Sequence, residues 1–517
     1  MLEKASPWCA LRWPLHLLLL VLATLGVAMM WWLPLSVLLR NWSCDDSFYY
    51  LEIARRFATT GQSSFDGMTS TNGYSPLWMW FEAPVFWLNL HAEAALRLTR
   101  SIEVIFGLIG LLALIAAGRR AQVKPWLLPL LVPFFVSSWV LYIGMEAGTS
   151  VMCLCVATYA AIRYGERPSA RRAALLGLLL AASVLARPDN LAFTLTIIGA
   201  LAFGIRAESR RVLLILLAVT IVPVLVHMIW NWAAFGSAVP VSGLTKQLWS
   251  SNTPDAGFER FSRRLAEMWS IKTIREGAII GMLIAPFAAM ALRAGSDPSR
   301  AFAAAILALA ALAIAKLVYY AATVEAALGT HSWYFATNRL LRFLVILWLL
   351  SWLTKFLSER MRNATWPGVV VLALVAILSA RDFTNYADHA AKPGFDWEIL
   401  SWHGANWLNA NLAEDEVVGS FDAGVLGYFC ERPVVNLDGL VQSHEFYLHR
   451  KQGLPLADEL DDLSIDVIAN CVVDPDRFLR NIGLDGPANP WHLAYSDASR
   501  LALVNGEWRH FAVFRRH

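Results

Sequence analysis

The chain has 517 residues, 57% of them hydrophobic and 16% charged, with a mean hydropathy of +0.48. Soluble domains carry about 25% charged residues, so an ordinary soluble protein is excluded. A net charge of +3 argues against a nucleic-acid binder, and the six Cys supply neither a CxxC pair nor a Cys/His ligand cluster.

The first apolar run, Pro14 to Leu39, is 26 residues long. The apolar part of a secretory signal spans about 7–15 residues and ends at a small-residue cleavage site. This run is longer and has no such site, so it predicts a retained anchor. Further apolar runs lie near 102–118, 126–143, 148–162, 173–186, 191–205, 212–230, 278–292, 301–322, 343–354 and 366–380. With the first they predict about eleven membrane-spanning helices. The 23 Trp, 13 Tyr and 26 Phe include many residues of the kind that settle at bilayer edges. The segment from Pro76 to Leu90 contains Glu82, Pro84, Trp78, Trp80 and Trp87. It is short for a span and predicts a helix lying in the interface.

With that segment left out, the loops at 119–124, 163–172, 206–211, 293–300 and 355–362 share one side and are rich in Lys and Arg. The short opposing turns at 144–147, 187–190 and 321–339 hold only Arg187 and Arg339. The positive-inside bias then places the first set, and the N-terminus, in the cytoplasm. Three longer pieces, 40–101, 231–277 and the tail 381–517, fall together on the outer side. The tail is polar, mixes turn signals with apolar runs such as Val434-Val435 and Ile465–Ile468, and ends in a predicted hairpin over 501–514. The expected fold class is a polytopic α-helical membrane module over 1–380, with outer loops 40–101 and 231–277, followed by an extracytoplasmic α/β domain over 381–517.

The first outer loop opens with Asp45-Asp46-Ser47-Phe48-Tyr49-Tyr50 and continues to Arg55-Arg56, then to Asn72-Gly73-Tyr74-Ser75-Pro76-Leu77-Trp78. Two adjacent acids at a membrane surface can attract a cation, and one of them can take up a proton more readily than usual. The alternative reading is that Asp45 or Asp46 caps a helix over Ser47–Ala58. Cations recur on other outer segments. Lys246 follows Val239-Pro240-Val241-Ser242-Gly243, a stretch that reads as extended and turn-rich. Lys316 lies near the outer end of an apolar span, where a charge needs a partner or a route to the interface. The stretch His331-Ser332-Trp333-Tyr334-Phe335 is either an interfacial aromatic belt or a sugar platform. Asp422 and Asp438 read as turn chemistry, with acceptor binding as the alternative, and Cys430 and Cys471 leave a bridge open.

The pattern of one span, a long outer loop beginning with paired acids and a Gly-Tyr-x-Pro-Leu-Trp segment resembles the GT-C fold membrane glycosyltransferases. It is most similar to the bacterial group that includes the lipid-linked arabinofuranosyltransferases. Protein O-mannosyltransferases and the aminoarabinose transferase of lipid A are more distant. The resemblance is strongest over residues 14–190. It implies transfer of a sugar, pentose or hexose, from a polyprenyl-phosphate carrier to a glycan, lipid or protein acceptor on the extracytoplasmic face. It also implies a bacterial inner membrane and a periplasmic or extracellular tail.

Residue by residue, the resemblance makes Asp45 or Asp46 the base and gives Glu146 an acceptor-orienting or metal-binding role. Arg97 (with Arg100 as a substitute), Arg187, Lys246 and Lys316 would hold the donor phosphate. Tyr49, Tyr74, His331, Trp333 and Tyr334 are candidate substrate contacts. No cofactor is certain. A divalent cation, magnesium or manganese, would use Asp45, Asp46 and Glu146.

The chemistry suits such a set. A glycosidase uses two carboxyl groups, one to protonate its leaving oxygen. A lipid phosphate already leaves readily, so one base and a few cations suffice, and a single displacement inverts the anomeric centre. Two rivals come from other classes. A transporter or flippase predicts internal repeats and acids at the bilayer midplane, whereas a glycan-binding membrane protein would work through its tail without catalysis.

Overall fold

The computed structural model describes residues 12–202, 210–251, 257–294, 297–324, 331–358, 377, 396–485, 490–504 and 507–516. Among the described residues the protein is mostly helical, with one five-stranded sheet toward the C-terminal end. The first apolar run is broken at Pro34, which has no N–H to continue a helix. Helix α1 covers Arg12–Trp32 and a short α2 covers Leu35–Trp42. Then come α3 (Asp45–Thr60), closed by Gly61 in the left-handed conformation, and α4 (Pro76–Phe86). The 11 residues of α4 give about 16 Å of helix at 1.5 Å per residue. That is too short for a hydrocarbon core of about 30 Å, so α4 does not cross on its own.

Five helices among the described residues are long and apolar enough to cross a membrane: α5 (Ala92–Arg120), α10 (Arg210–Phe235), Lys272–Arg293, Ser299–Thr323 and Trp333–Thr354. The count of eleven is not established. The expected span at 126–143 is instead a 3-10 turn (Pro125–Leu131), a short helix α6 (Val132–Ser137) and a second 3-10 turn (Trp139–Leu141). Pro125, Pro129 and Pro133 each withhold a backbone donor there. The runs at 148–162, 173–186 and 191–205 lie on α7 (Ala147–Glu166), α8 (Ala170–Ala186) and α9 (Leu191–Ala202), shorter than the five. The run at 366–380 falls outside the described residues, apart from Ile377.

The helix Asp297–Thr323 packs against α7, α9 and Lys272–Ala294. Its buried Ala301, Ala303, Ala304, Ala305, Ala308 and Ala310 explain this, because small side chains let backbones approach closely. The helix Arg210–Phe235 is peripheral. Its Leu225, Val226 and Ile229 are exposed, as expected of a lipid-facing surface.

The tail sheet has the order β2-β1-β3-β5-β4, with β1 Val418–Ser420, β2 Val434–Asn436, β3 Val467–Val472, β4 Trp491–Val504 and β5 Glu507–Arg516. Strand β1 runs parallel to β2 and β3, while β3–β5 and β5–β4 are antiparallel. The expected C-terminal hairpin is β4–β5. Every residue of β3 is buried, because both faces are covered. Val467, Ala469 and Cys471 face Leu400, Ala405 and Leu408 of the helix Asp396–Asn411. Ile468 and Val472 face Leu456, Leu460 and Leu479. Cys430 and Cys471 are both free thiols, so no bridge joins them. The sheet domain also docks on α3, where Phe48 meets Tyr428 and Phe429 at ring-centre distances of 5.5 and 5.8 Å.

Candidate functional site

Helix α3 starts two residues earlier than the sequence suggests, so Asp45 and Asp46 occupy its first turn, with Cys44 at the cap position. Neither is the cap of its own helix. Neighbours on a helix diverge by about 100°, and the two acids meet different surroundings. Asp45 is buried, and its Oδ2 and Oδ1 accept from the backbone N–H of Gly424 and Val425, both at 2.9 Å. These are the first N–H groups of the tail-domain helix Gly424–Phe429, which need an acceptor. Asp45 therefore fastens the tail domain to α3. Asp46 is half-buried, and its carboxylate makes no hydrogen bond or ion pair with another described residue. Its charge is felt by Lys246 and His331 on one side and by Asp422 and Asp438 on the other.

Beside it lies a network of buried charges. Glu146 precedes α7, accepts from Tyr50 Oη at 3.0 Å and pairs closely with Arg187 Nη1. Arg187 also pairs with Asp189 at 2.9 Å and donates to Tyr320 Oη at 3.1 Å. Lys316 reaches Asp189 at 3.4 Å and donates to the Tyr334 carbonyl at 2.7 Å and Thr337 Oγ1 at 3.2 Å. The Tyr334 ring joins the cations. Arg187 lies 4.6 Å and Lys246 5.2 Å from its centre, and it stacks on Tyr320 at 5.6 Å.

Lys246 differs from the other cations. It donates to Tyr334 Oη at 2.6 Å, and no described carboxylate pairs with it. Burial opposes its charge, but Tyr334 and Asp46 outweigh that and raise its pKa. His331 stacks on Trp333 at 4.2 Å with rings 3° from parallel. Although its surface is accessible, surrounding protein pushes its pKa down to about 4, with Asp46 opposing and Lys246 assisting, so the ring is neutral at pH 7.

The two sequence motifs set this geometry. Asn72 Nδ2 donates to the carbonyls of Ser237 and Val239 at 3.1 and 3.2 Å, and its Oδ1 accepts from Val241 N at 3.0 Å. That last bond satisfies a free donor at the start of α11 (Val241–Ser251), the helix that carries Lys246. Lys246 is thus helical, correcting the extended reading. Trp78 Nε1 donates to the Gly144 carbonyl at 2.8 Å, fixing the turn before Glu146. Gly73 is required because a Cβ there would overlap the backbone oxygen of Leu440.

The structure thus gathers Asp46, Glu146, Arg187, Lys246, Lys316, His331, Trp333 and Tyr334. Arg97 is directed elsewhere: it pairs with Glu93 at 2.6 Å and donates to the Met30 carbonyl at 2.7 Å, tying the helix Ala92–Arg120 to α1. Its proposed substitute Arg100 holds the start of α3 through Trp42 O and Ser47 Oγ, both at 3.0 Å. Tyr74 is occupied by Ser63 Oγ at 2.6 Å. Tyr49 Oη reaches Asp438 Oδ2 at 3.2 Å and accepts from Asn436 Nδ2 and Ala423 N.

Among the described residues, no group of three or more His, Cys, Asp or Glu side chains is placed to hold a metal ion. The Asp45–Asp46–Glu146 set does not suit magnesium or manganese, because Asp45 accepts backbone N–H on both oxygens and Glu146 is engaged by Tyr50 and Arg187. Sequence reasoning passed over Tyr50 and Tyr320, and noted Asp189 only as the acid of an Arg187-Pro188-Asp189 turn similar to one in the GT-C enzymes, without a role of its own. Helical spacing offered a signal for the two tyrosines: Tyr50 lies four residues after Asp46, and Tyr320 four after Lys316.

No curated protein matches the chain by sequence. A family model described as "Domain of unknown function (DUF8728)" matches residues 396–514, the tail domain. The structure is similar to ArnT from Cupriavidus metallidurans in the apo state, with a TM-score of 0.54 and 13% identity over 96% of this chain and 97% of that one. The same protein bound to undecaprenyl phosphate gives a TM-score of 0.52 at the same identity and coverage. The chain has the GT-C fold. An oligosaccharyltransferase of Archaeoglobus fulgidus, solved in complex with Zn and sulfate, gives a TM-score of 0.48 at 13% identity, over 91% of this chain and 70% of that one.

Proposed function

We propose that this chain is an inverting glycosyltransferase that moves a sugar from a polyprenyl-phosphate carrier to an acceptor hydroxyl on the extracytoplasmic face of a bacterial inner membrane. The observation that carries the reading is the juxtaposition of a carboxylate, Asp46, and an ammonium, Lys246, neither of which has an ion-pair partner among the described residues. They stand at the edge of a buried cation network in a GT-C fold. A polyprenyl carrier is held at the interface by its own insolubility, so a catalytic loop laid on a helical bundle meets its phosphate head there. ArnT, which is similar in fold, was solved bound to undecaprenyl phosphate, which supports a lipid of that kind.

In this mechanism Asp46 takes the proton of the acceptor hydroxyl as the oxygen attacks the anomeric carbon. The bond from that carbon to the phosphate oxygen breaks, and the electron pair leaves with the polyprenyl phosphate. Lys246 and Arg187 stabilise the charge that develops on the phosphate. Glu146 and Asp189 hold Arg187, and Lys316 holds Asp189 and the Tyr334 backbone. Neither second carboxylic acid nor metal is required by the leaving group.

The test uses the purified full chain with a radiolabelled panel of polyprenyl-phosphate pentoses and hexoses and crude envelope acceptors. Transfer with inversion is expected, with kcat reduced about 10²–10⁴-fold by Asp46→Asn. Asp46→Asn at the parental rate would remove the base assignment. Movement of lipid between leaflets without sugar release would favour the transporter.

A further inference from the structure

We propose that a cavity of about 350 Å³ between α11 and the tail domain binds a neutral glycosyl ring of the acceptor. The site is independent in structure, but its place in the reaction rests on the glycosyltransferase reading above. Its volume lies within the roughly 300–1,000 Å³ of ligand clefts, which pair mainly apolar walls with a few placed polar groups. The walls include Trp249, Phe446 and Tyr447, and the polar groups include Thr245, Asp438 and Arg450.

The lining chemistry selects the ligand. Sugar rings present C–H faces that lie on aromatic surfaces and a rim of hydroxyls that both donate and accept. Asp438 supplies an acceptor: its Oδ1 takes Leu440 N at 2.9 Å and its Oδ2 takes Tyr49 Oη and Asp422 N at 3.2 and 3.3 Å. Each carboxylate oxygen accepts two bonds, and among the described residues Oδ1 accepts only from Leu440 N, so it has room for a hydroxyl. Arg450 supplies donors; its Nη1 bonds the Leu454 carbonyl at 3.2 Å, and the rest of the guanidinium fork bonds no other described residue and can serve hydroxyls. A phosphate-bearing ligand would meet the Asp438 charge, and an acyl chain would bury both charges unpaired. A neutral polyhydroxylated ring meets neither penalty.

Position ties the cavity to the reacting groups. Thr245 and Trp249 lie four residues apart on one face of α11, and Lys246 projects from the same helix toward Tyr334. Tyr49, one turn after Asp46 on α3, touches the Asp438 carboxylate. A ring in this cavity would therefore bring a hydroxyl between the base on α3 and the cation on α11. Helix α11 serves both substrates, through different faces.

Full-length protein in nanodiscs is titrated with methyl furanosides and pyranosides of common pentoses and hexoses, followed by saturation-transfer NMR. At least one glycoside should receive saturation, reduced tenfold or more by Trp249→Ala and by Tyr447→Ala. Trp249→Phe, which keeps an aromatic wall, should retain it, and melting of each variant reports folding. With the crude envelope acceptors, Trp249→Ala should raise the apparent acceptor KM about tenfold while donor KM changes less than twofold. If no glycoside is saturated, or if both alanine variants keep the parental signal, the acceptor cavity is overturned even where donor turnover persists. If glycosides bind through these residues and no donor is turned over, the cavity stands as a glycan-binding site and the transferase reading fails.

Discussion

The two halves of the charged cluster differ in how completely their charges are answered. On the Arg187 side, Glu146, Asp189, Lys316 and Tyr320 form a closed circuit in which each charge has a partner within 3.4 Å. On the Asp46 side, the carboxylate and the Lys246 ammonium face each other's field with no ion pair between them. A closed buried network maintains a shape. An open pair is a poor stabiliser, but it leaves charge available to a substrate, which is what catalysis by preorganised groups requires. The difference separates Lys316, which maintains the network, from Lys246, which is left for the substrate; Arg187 is held by the closed half and, in the proposed mechanism, acts beside Lys246.

Lys246 and Lys316 give the sharpest way to break that comparison. Lys246→Met should reduce kcat about 10²–10³-fold, as loss of one transition-state contact does, with little change in melting. Lys316→Met removes one partner of a buried network and should destabilise by about 3–5 kcal/mol, measured by thermal melting in detergent. Equal thermal losses for the two variants would dissolve the distinction.

Asp45 and Asp46 sharpen it at smaller scale. Asp45→Asn leaves a capping oxygen but places an amide against a backbone N–H. It should cost about 0.5–2 kcal/mol, the range of a lost helix cap, and loosen the tail domain from α3. Limited proteolysis near residue 424 should accelerate, and Asp46→Asn should not reproduce this. Gly424→Ala should mimic Asp45→Asn, because a Cβ at 424 would overlap the backbone oxygen of Asp45.

The sequence made the site's ingredients legible more readily than their roles. Composition and apolar runs identified a helical membrane protein, and most cluster members were named from charges and motifs in outer segments. What separates Asp45 from Asp46 is a helix start at Gly424, distant in the chain, so nothing in the local pattern could rank them. Lys246 was misread as extended because Pro240 and Gly243 are turn signals. Yet Pro240 stands just before the helix, where a missing N–H is harmless, and the start is capped by Asn72 from another loop. The expected span at 126–143 failed for the converse reason: hydropathy counted its prolines as neutral, although they break the hydrogen-bond ladder.

The smallest expected effect concerns Asp422, at the outer edge of the open half. Its backbone is left-handed, with φ of 48°, and its carboxyl reaches solvent while protein surrounds it. Desolvation, reinforced by Asp438 and Asp46, pushes its pKa from 3.8 up to about 8. The two carboxylates act in the same direction as burial, so the direction holds despite the accessible surface. Between pH 4 and 8 the folded protein then keeps a proton that the unfolded chain has released, and stability must fall as pH rises through that window. Above pH 8 both states are ionised and the loss is complete. Solvent screening keeps the effect modest, a few degrees of melting temperature. Asp422→Asn should flatten this slope, since an amide has no proton to lose, while leaving the melting temperature near pH 4 unchanged. A wild-type melting curve that instead rises from pH 5 to pH 8, with the Asn variant parallel to it, would show that Asp422 is already ionised beside Asp46. The open half would then hold one more negative charge at neutral pH than the geometry implies.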